Sequence, residues 1–187
     1  MFTAQTIVQR KETSMKRFKL IAITSATLLT CFTSTLATQV LIDSDFGNAS
    51  VPIQSKTGPD GKPMVTGTLP KGWQEDSSGW CRLNASCVVE EEEGVRHLSI
   101  QVKHLEHDAR LQLAYRHIPD NTATTYYRLR IRARNRQRLL VQFGLRMQGR
   151  PYEMYWSRQT TFSTSWKTYE YDFELGKNDQ PMGFWFN

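Results

Sequence analysis

The longest regular alternation of apolar and polar positions in the chain runs from Thr125 to Met147. Tyr127, Leu129, Ile131 and Ala133 fall on one side of an extended backbone, and Arg128, Arg130, Arg132 and Arg134 on the other. After the polar Asn135-Arg136-Gln137 the rhythm resumes. Leu139, Val141, Phe143, Leu145 and Met147 then share one side, with Gln142, Gly144 and Arg146 opposite and Leu140 as the exception. A period of two marks strands with one buried and one wet face. Two such runs around a short polar turn predict a β-hairpin. A one-sided hairpin is not stable by itself, so its apolar face must meet a second sheet.

The same period recurs along the chain. His97–Lys103 sets Leu98, Ile100 and Val102 against polar neighbours, and Arg110–Ile118 places Leu111, Leu113 and Tyr115 on one face. Trp166–Leu175 sets Tyr169, Tyr171, Phe173 and Leu175 against Thr168, Glu170, Asp172 and Glu174. Gln39–Ile42, Met64–Thr66, Thr160–Phe162 and Pro181–Asn187 read as shorter strands. Ala49–Gly79, rich in Gly, Pro, Ser and Lys, reads as long loops, and Glu90–Glu93 as a solvated run of acids. No stretch of this region carries a long helical period. The expectation is an all-β, antiparallel β-sandwich of roughly eight short strands, with its C-terminal strand truncated at Asn187.

The first 37 residues read differently. Met15–Lys19 is a short basic segment, Leu20–Phe32 is apolar and uncharged, and Thr35-Leu36-Ala37 offers a small-x-small cleavage site. That order is a secretory signal peptide, a signal helix ahead of the domain, with Met15 an alternative start. The apolar run is too short for a stable membrane span. The expected division is thus a signal peptide at 1–37 and one sandwich domain at 38–187, secreted or periplasmic. Anchoring as a lipoprotein through Cys31 fits less well, because Thr30 is larger than the residue that usually precedes such a cysteine. The leader carries +4 of the chain's net charge of +6, which leaves +2 on the domain and argues against nucleic acid as a partner.

Candidate chemistry is sparse. Cys81 and Cys87 are the two cysteines left after the leader, and an even count in an exported chain predicts a disulfide between them. His104, His107 and Asp108 match no strong metal spacing and read as a polar loop. There is no phosphate-binding loop or nucleophile elbow. The chain is rich in aromatic residues, with five tryptophans and seven tyrosines. Rings cover the C–H faces of sugars well, while polar side chains meet the hydroxyls. On that chemistry the candidate carbohydrate-binding residues are Trp73, Trp80, Tyr155 and Trp156, with Arg128, Gln142 and Arg146 on the wet faces of strands.

Several segments together resemble the carbohydrate-binding modules of families four and nine. They are Ile42–Asn48, Leu69–Trp73, Thr125–Arg134, Ser165–Phe173 and Gln180–Phe186, which span essentially the whole domain. The resemblance implies a galactose-binding-like jelly roll that binds a polysaccharide or oligosaccharide as a monomer, without catalysis and with no required cofactor. It also implies association with a secreted glycoside hydrolase. A structural calcium is the one metal the resemblance suggests. Asp43 and Asp45 match the N-terminal part of such a site, which stays incomplete because the chain stops before the strand that would supply the rest. Two other functions compete: a structural or protein-binding sandwich at the cell surface, and a small jelly-roll glycoside hydrolase using Glu170, Asp172 or Glu174.

Overall fold

The computed structural model describes residues 2–11, 38–44, 50–107 and 110–187. They form strands, turns and loops, with no helix among the described residues and so none long and apolar enough to cross a membrane. The strands are β1 (Phe2–Lys11), β2 (Thr38–Ser44), β3 (Ser50–Pro52), β4 (Val65–Pro70), β5 (Trp73–Glu75) and β6 (Leu83–Glu92). They continue as β7 (Val95–Leu105), β8 (Leu113–Ile118), β9 (Thr125–Asn135), β10 (Leu140–Met147), β11 (Met154–Thr161), β12 (Lys167–Leu175) and β13 (Met182–Phe186).

They divide into two sheets. The larger has eight strands in the order β12-β9-β1-β7-β6-β4-β3, with β2 also paired to β1. The smaller has five, in the order β11-β10-β13-β8-β5. One core lies between them. Tyr127, Leu129, Ile131 and Ala133 of β9, Leu98 and Ile100 of β7, and Leu83, Ala85 and Cys87 of β6 enter it from the larger sheet. Leu113 of β8, Val141, Phe143 and Leu145 of β10, and Met182, Phe184 and Phe186 of β13 enter from the smaller. Each large apolar side chain buried there stabilises the fold by about 1.5–3 kcal/mol.

The alternation at Thr125–Met147 holds, but the hairpin does not. β9 pairs with β1 and β12, whereas β10 pairs with β11 and β13. The polar residues between them carry the chain from one sheet to the other. The reason is burial: two strands with one apolar face each satisfy both faces when they stand on opposite sides of a shared core. Two of the outward arginines of β9 find their partners on β12 instead. Arg128 lies opposite Asp172 and Arg130 opposite Glu170, with charged contacts of 2.7 Å in both pairs. Opposite charges facing each other across strands favour this register.

The acidic run, read as solvated, is exposed at Glu90 and Glu91 and belongs to a strand. Glu90, Glu91 and Glu92 close β6, a ten-residue strand paired along β7. Phe2–Lys11, ahead of the basic segment of the expected leader, runs as a strand against the whole length from Tyr126 to Asn135. Thr3, Thr6, Ile7 and Val8 give that stretch the composition of a strand. Residues 12–37, which hold Cys31 and the basic, apolar and cleavage segments of the leader, lie outside the described residues.

Candidate functional site

The outer face of the smaller sheet carries the site. Because Val141, Phe143 and Leu145 point into the core, Gln142, Gly144 and Arg146 point out. The same rule turns Trp185 outward between Phe184 and Phe186. The register brings Ala114, Trp185, Gly144 and Ser157 into line across β8, β13, β10 and β11. A neighbouring row holds Asn187, Gln142 and Gln159, where the backbones of Gln142 and Asn187 exchange hydrogen bonds of 3.1 and 2.7 Å. Side-chain amides in a row present donors and acceptors together, which suits hydroxyl groups.

Two loops raise walls around this floor. The first follows β5. The Glu75 carboxylate accepts hydrogen bonds from the Ser77 and Ser78 backbone amides and from the Ser78 hydroxyl. Buried Ser77 accepts from the Gln112 amide at 2.7 Å, and the Asp76 amide donates to the Gln112 carbonyl at 2.9 Å. The loop is therefore stitched to Gln112, the residue that leads into β8, and it presents Asp76 and Trp80. The Trp80 indole N–H donates to the Asp76 carbonyl at 2.6 Å, while the side chain stays 55% exposed. Its orientation is fixed and its ring remains available. The second wall is the turn between β10 and β11. Tyr152 there has a positive φ of 61° and lies half exposed, with the Arg146 guanidinium carbon 5.2 Å from its ring centre. A non-glycine residue in that region of backbone space is costly and is held by its surroundings.

Between the walls lies a cleft of about 410 Å³ lined by Asp76, Trp80, Arg110, Gln112, Gln142, Arg146, Tyr152, Met154, Trp185 and Asn187. Asp76 is the one side-chain carboxylate among the described residues that line it, and it is engaged. Arg116 reaches one of its oxygens and Arg146 the other, each at 2.9 Å. Glycoside hydrolysis by the usual pair of carboxylates needs a second acid across the bond.

The sequence-derived candidates separate. Trp80, Gln142 and Arg146 come together in the cleft. Trp73 does not: it is 5% exposed and packs edge-on against Tyr115, Phe184 and Phe186 in the core. Its place is β5, a strand where a loop was expected, and pairing opposite Tyr115 of β8 puts its ring on the core side. Trp156 is half-buried and stacks on Phe173 with ring centres 3.9 Å apart. Tyr155 lines a separate groove with Glu153, Glu174 and Lys177. Arg128 lies on the outer face of the other sheet, bound to Asp172.

The expected disulfide is absent: Cys81 and Cys87 are both free thiols. Cys87 points into the core from β6, while the Cys81 thiol faces the carbonyls of Ser77 and Arg110. Leu83 to Cys87 alone spans about 13 Å of extended strand, and disulfide-linked Cα atoms stand within about 7 Å. Asp43 lies on β2 opposite Ile7, and Asp45 falls outside the described residues. No group of three or more metal-ligating side chains occurs among the described residues.

Sequence reasoning missed Asp76, Arg110, Tyr152 and Trp185 as cleft residues. For Trp185 the signal was present, since an aromatic residue between two inward phenylalanines must face outward. No protein-family model matches the chain, and searches among curated proteins and solved structures found no match to it.

Proposed function

We propose that the chain is a non-catalytic carbohydrate-binding module of a secreted polysaccharide-degrading protein, built as a jelly-roll β-sandwich. The observation that carries this reading is the Trp80 ring, pinned by its own N–H yet more than half exposed at the mouth of a polar cleft. A rigid exposed indole beside Gln142, Asn187 and Tyr152 supplies a stacking face for a sugar ring and amides for its hydroxyls. With one side-chain carboxylate among its described lining residues, already paired to two arginines, the cleft is better equipped to hold a glycan than to cleave one.

The test is retention of the full chain on insoluble cellulose, xylan, β-glucan and pectin. Retention on at least one polymer is expected, with affinity falling about tenfold or more in Trp80→Ala, the loss of about 1–3 kcal/mol typical of a stacking ring. The thermal midpoint of that variant should stay near that of the parent, because the ring is exposed. A folded protein retained by none of the polymers would overturn the reading in favour of a structural or protein-binding sandwich.

A further inference from the structure

The cleft is short of hydrogen-bond acceptors of the right charge. Three arginines, Arg110, Arg116 and Arg146, gather at or beside it, and Asp76 supplies the single side-chain carboxylate among the described residues that line it. Both oxygens of that carboxylate are taken, by Arg116 and Arg146. A guanidinium carries five N–H donors, and Arg146 spends one nitrogen on Asp76. Arg110 is exposed at the cleft wall and has no carboxylate partner among the described residues.

A second, independent feature points the same way. Trp185 is 3% exposed and lines the cleft, and its indole N–H has no acceptor among the described residues. Indole nitrogen only donates, and a buried donor without a partner is costly. The Arg146 guanidinium carbon lies 5.8 Å from the Trp185 ring centre, so the orphaned donor and the under-used cation sit side by side.

Resting on the carbohydrate-binding reading, we propose that the cleft selects a carboxylate-bearing sugar, a uronic acid unit of an acidic polysaccharide, with Arg110 and Arg146 as its anion-binding residues. A carboxylate is planar and accepts two parallel N–H bonds, which matches the guanidinium fork. Asp76 meets Arg146 through one nitrogen only, its other oxygen going to Arg116, so the rest of the Arg146 fork stays available. A neutral sugar is a poorer match. Its hydroxyls donate as well as accept, and it would cover Arg110 without compensating the charge, which carries a desolvation penalty. Trp80 and the amide row hold the ring of the sugar, and the arginines choose its charge.

The experiment measures affinity of the full chain for polygalacturonate, alginate and glucuronoxylan, for the carboxyl-reduced form of each, and for a sulfated galactan. Binding to at least one polyuronate is expected, weaker by about tenfold or more on its reduced twin, the scale of a charge-assisted hydrogen bond. The preference should shrink in salt of about 1 M, where charges are screened beyond ~3 Å. Arg110→Gln should remove most of it, whereas Arg136→Gln, in the exposed turn after β9, should not. Because Arg110 is exposed, its replacement leaves the fold intact, and a matching thermal midpoint verifies this. Equal affinity for a polyuronate and its reduced form overturns the uronate assignment and leaves the glycan reading standing. Binding only to the sulfated polymer overturns the carboxylate preference. A folded protein that binds none of the seven polymers overturns this inference, and the glycan reading falls with it only if the neutral polymers named earlier also fail.

Discussion

Cys87 is 0% exposed, packed among the apolar side chains of the sandwich core. Burial pushes its thiol from the ordinary 9.0 up to about 12, with the nearby Glu75 charge adding to the effect. The folded protein therefore keeps the thiol protonated where the unfolded chain loses the proton. The stabilisation is complete below pH 9 and is lost as the pH rises toward about 12. At about pH 10.5 the loss amounts to about 2 kcal/mol. Urea unfolding at about pH 8 and 10.5 should show a steeper decline in the parent than in Cys87→Ala, and equal slopes would contradict this account. Cys81 offers the contrast within one short segment: its part-exposed thiol should take an alkylating reagent in the native protein while Cys87 does not, as read by peptide mapping. The tryptophans give the same lesson in legibility. Trp73 and Trp80 are seven positions apart in similar Gly-rich surroundings, one in the core and one at the cleft. Gln142 and Arg146 could be placed from the pattern because inward residues flank them. Asp76 could not, since it acquires its role from Arg116 and Arg146, 40 and 70 positions away.

At the scale of the element, alternation identifies a strand and its inward face but is silent about which strand lies beside it. This is why Thr125–Asn135 and Leu140–Met147 were legible as strands and not as members of different sheets. Alternation does not predict β6 at all, where Leu83, Ala85 and Cys87 alternate only briefly before Glu90, Glu91 and Glu92 continue the ladder without any apolar signal. Gly144 shows how tightly two strands can constrain a single position. A Cβ there would sit 2.9 Å from the Ser157 Cα and collide with the Trp156 carbonyl oxygen of β11. Backbone cannot yield as a side-chain tip can. Gly144→Ala should thus destabilise the protein by about 1–3 kcal/mol, the range for overpacking a well-packed position. It should also weaken glycan retention, because β10 and β11 carry Gln142, Arg146 and Met154 of the cleft. Chemical denaturation of Gly144→Ala beside the parent checks the first, and an unchanged midpoint would show that β11 moves away without cost.

For the whole molecule the decisive element is β1. Its ten residues pair with β9 along one edge, and along the other with β7 at Phe2–Ala4 and with β2 from Thr6 to Lys11. A strand in that position joins the two halves of the larger sheet. The segment 38–187 alone should therefore unfold at a markedly lower temperature than the full chain, as differential scanning calorimetry of the two would show; equal midpoints would mean that β1 adds nothing to the sheet. The seam has a bearing on maturation. If a peptidase cut after Ala37, as the leader pattern anticipates, the released fragment would carry β1 away and bare the backbone of β9 from Tyr126 to Asn135. Exposed strand edges recruit other strands. Export of such a chain would be a rearrangement as well as a trimming, and the processed form would reach its destination with a vacancy that a strand donated in trans could fill.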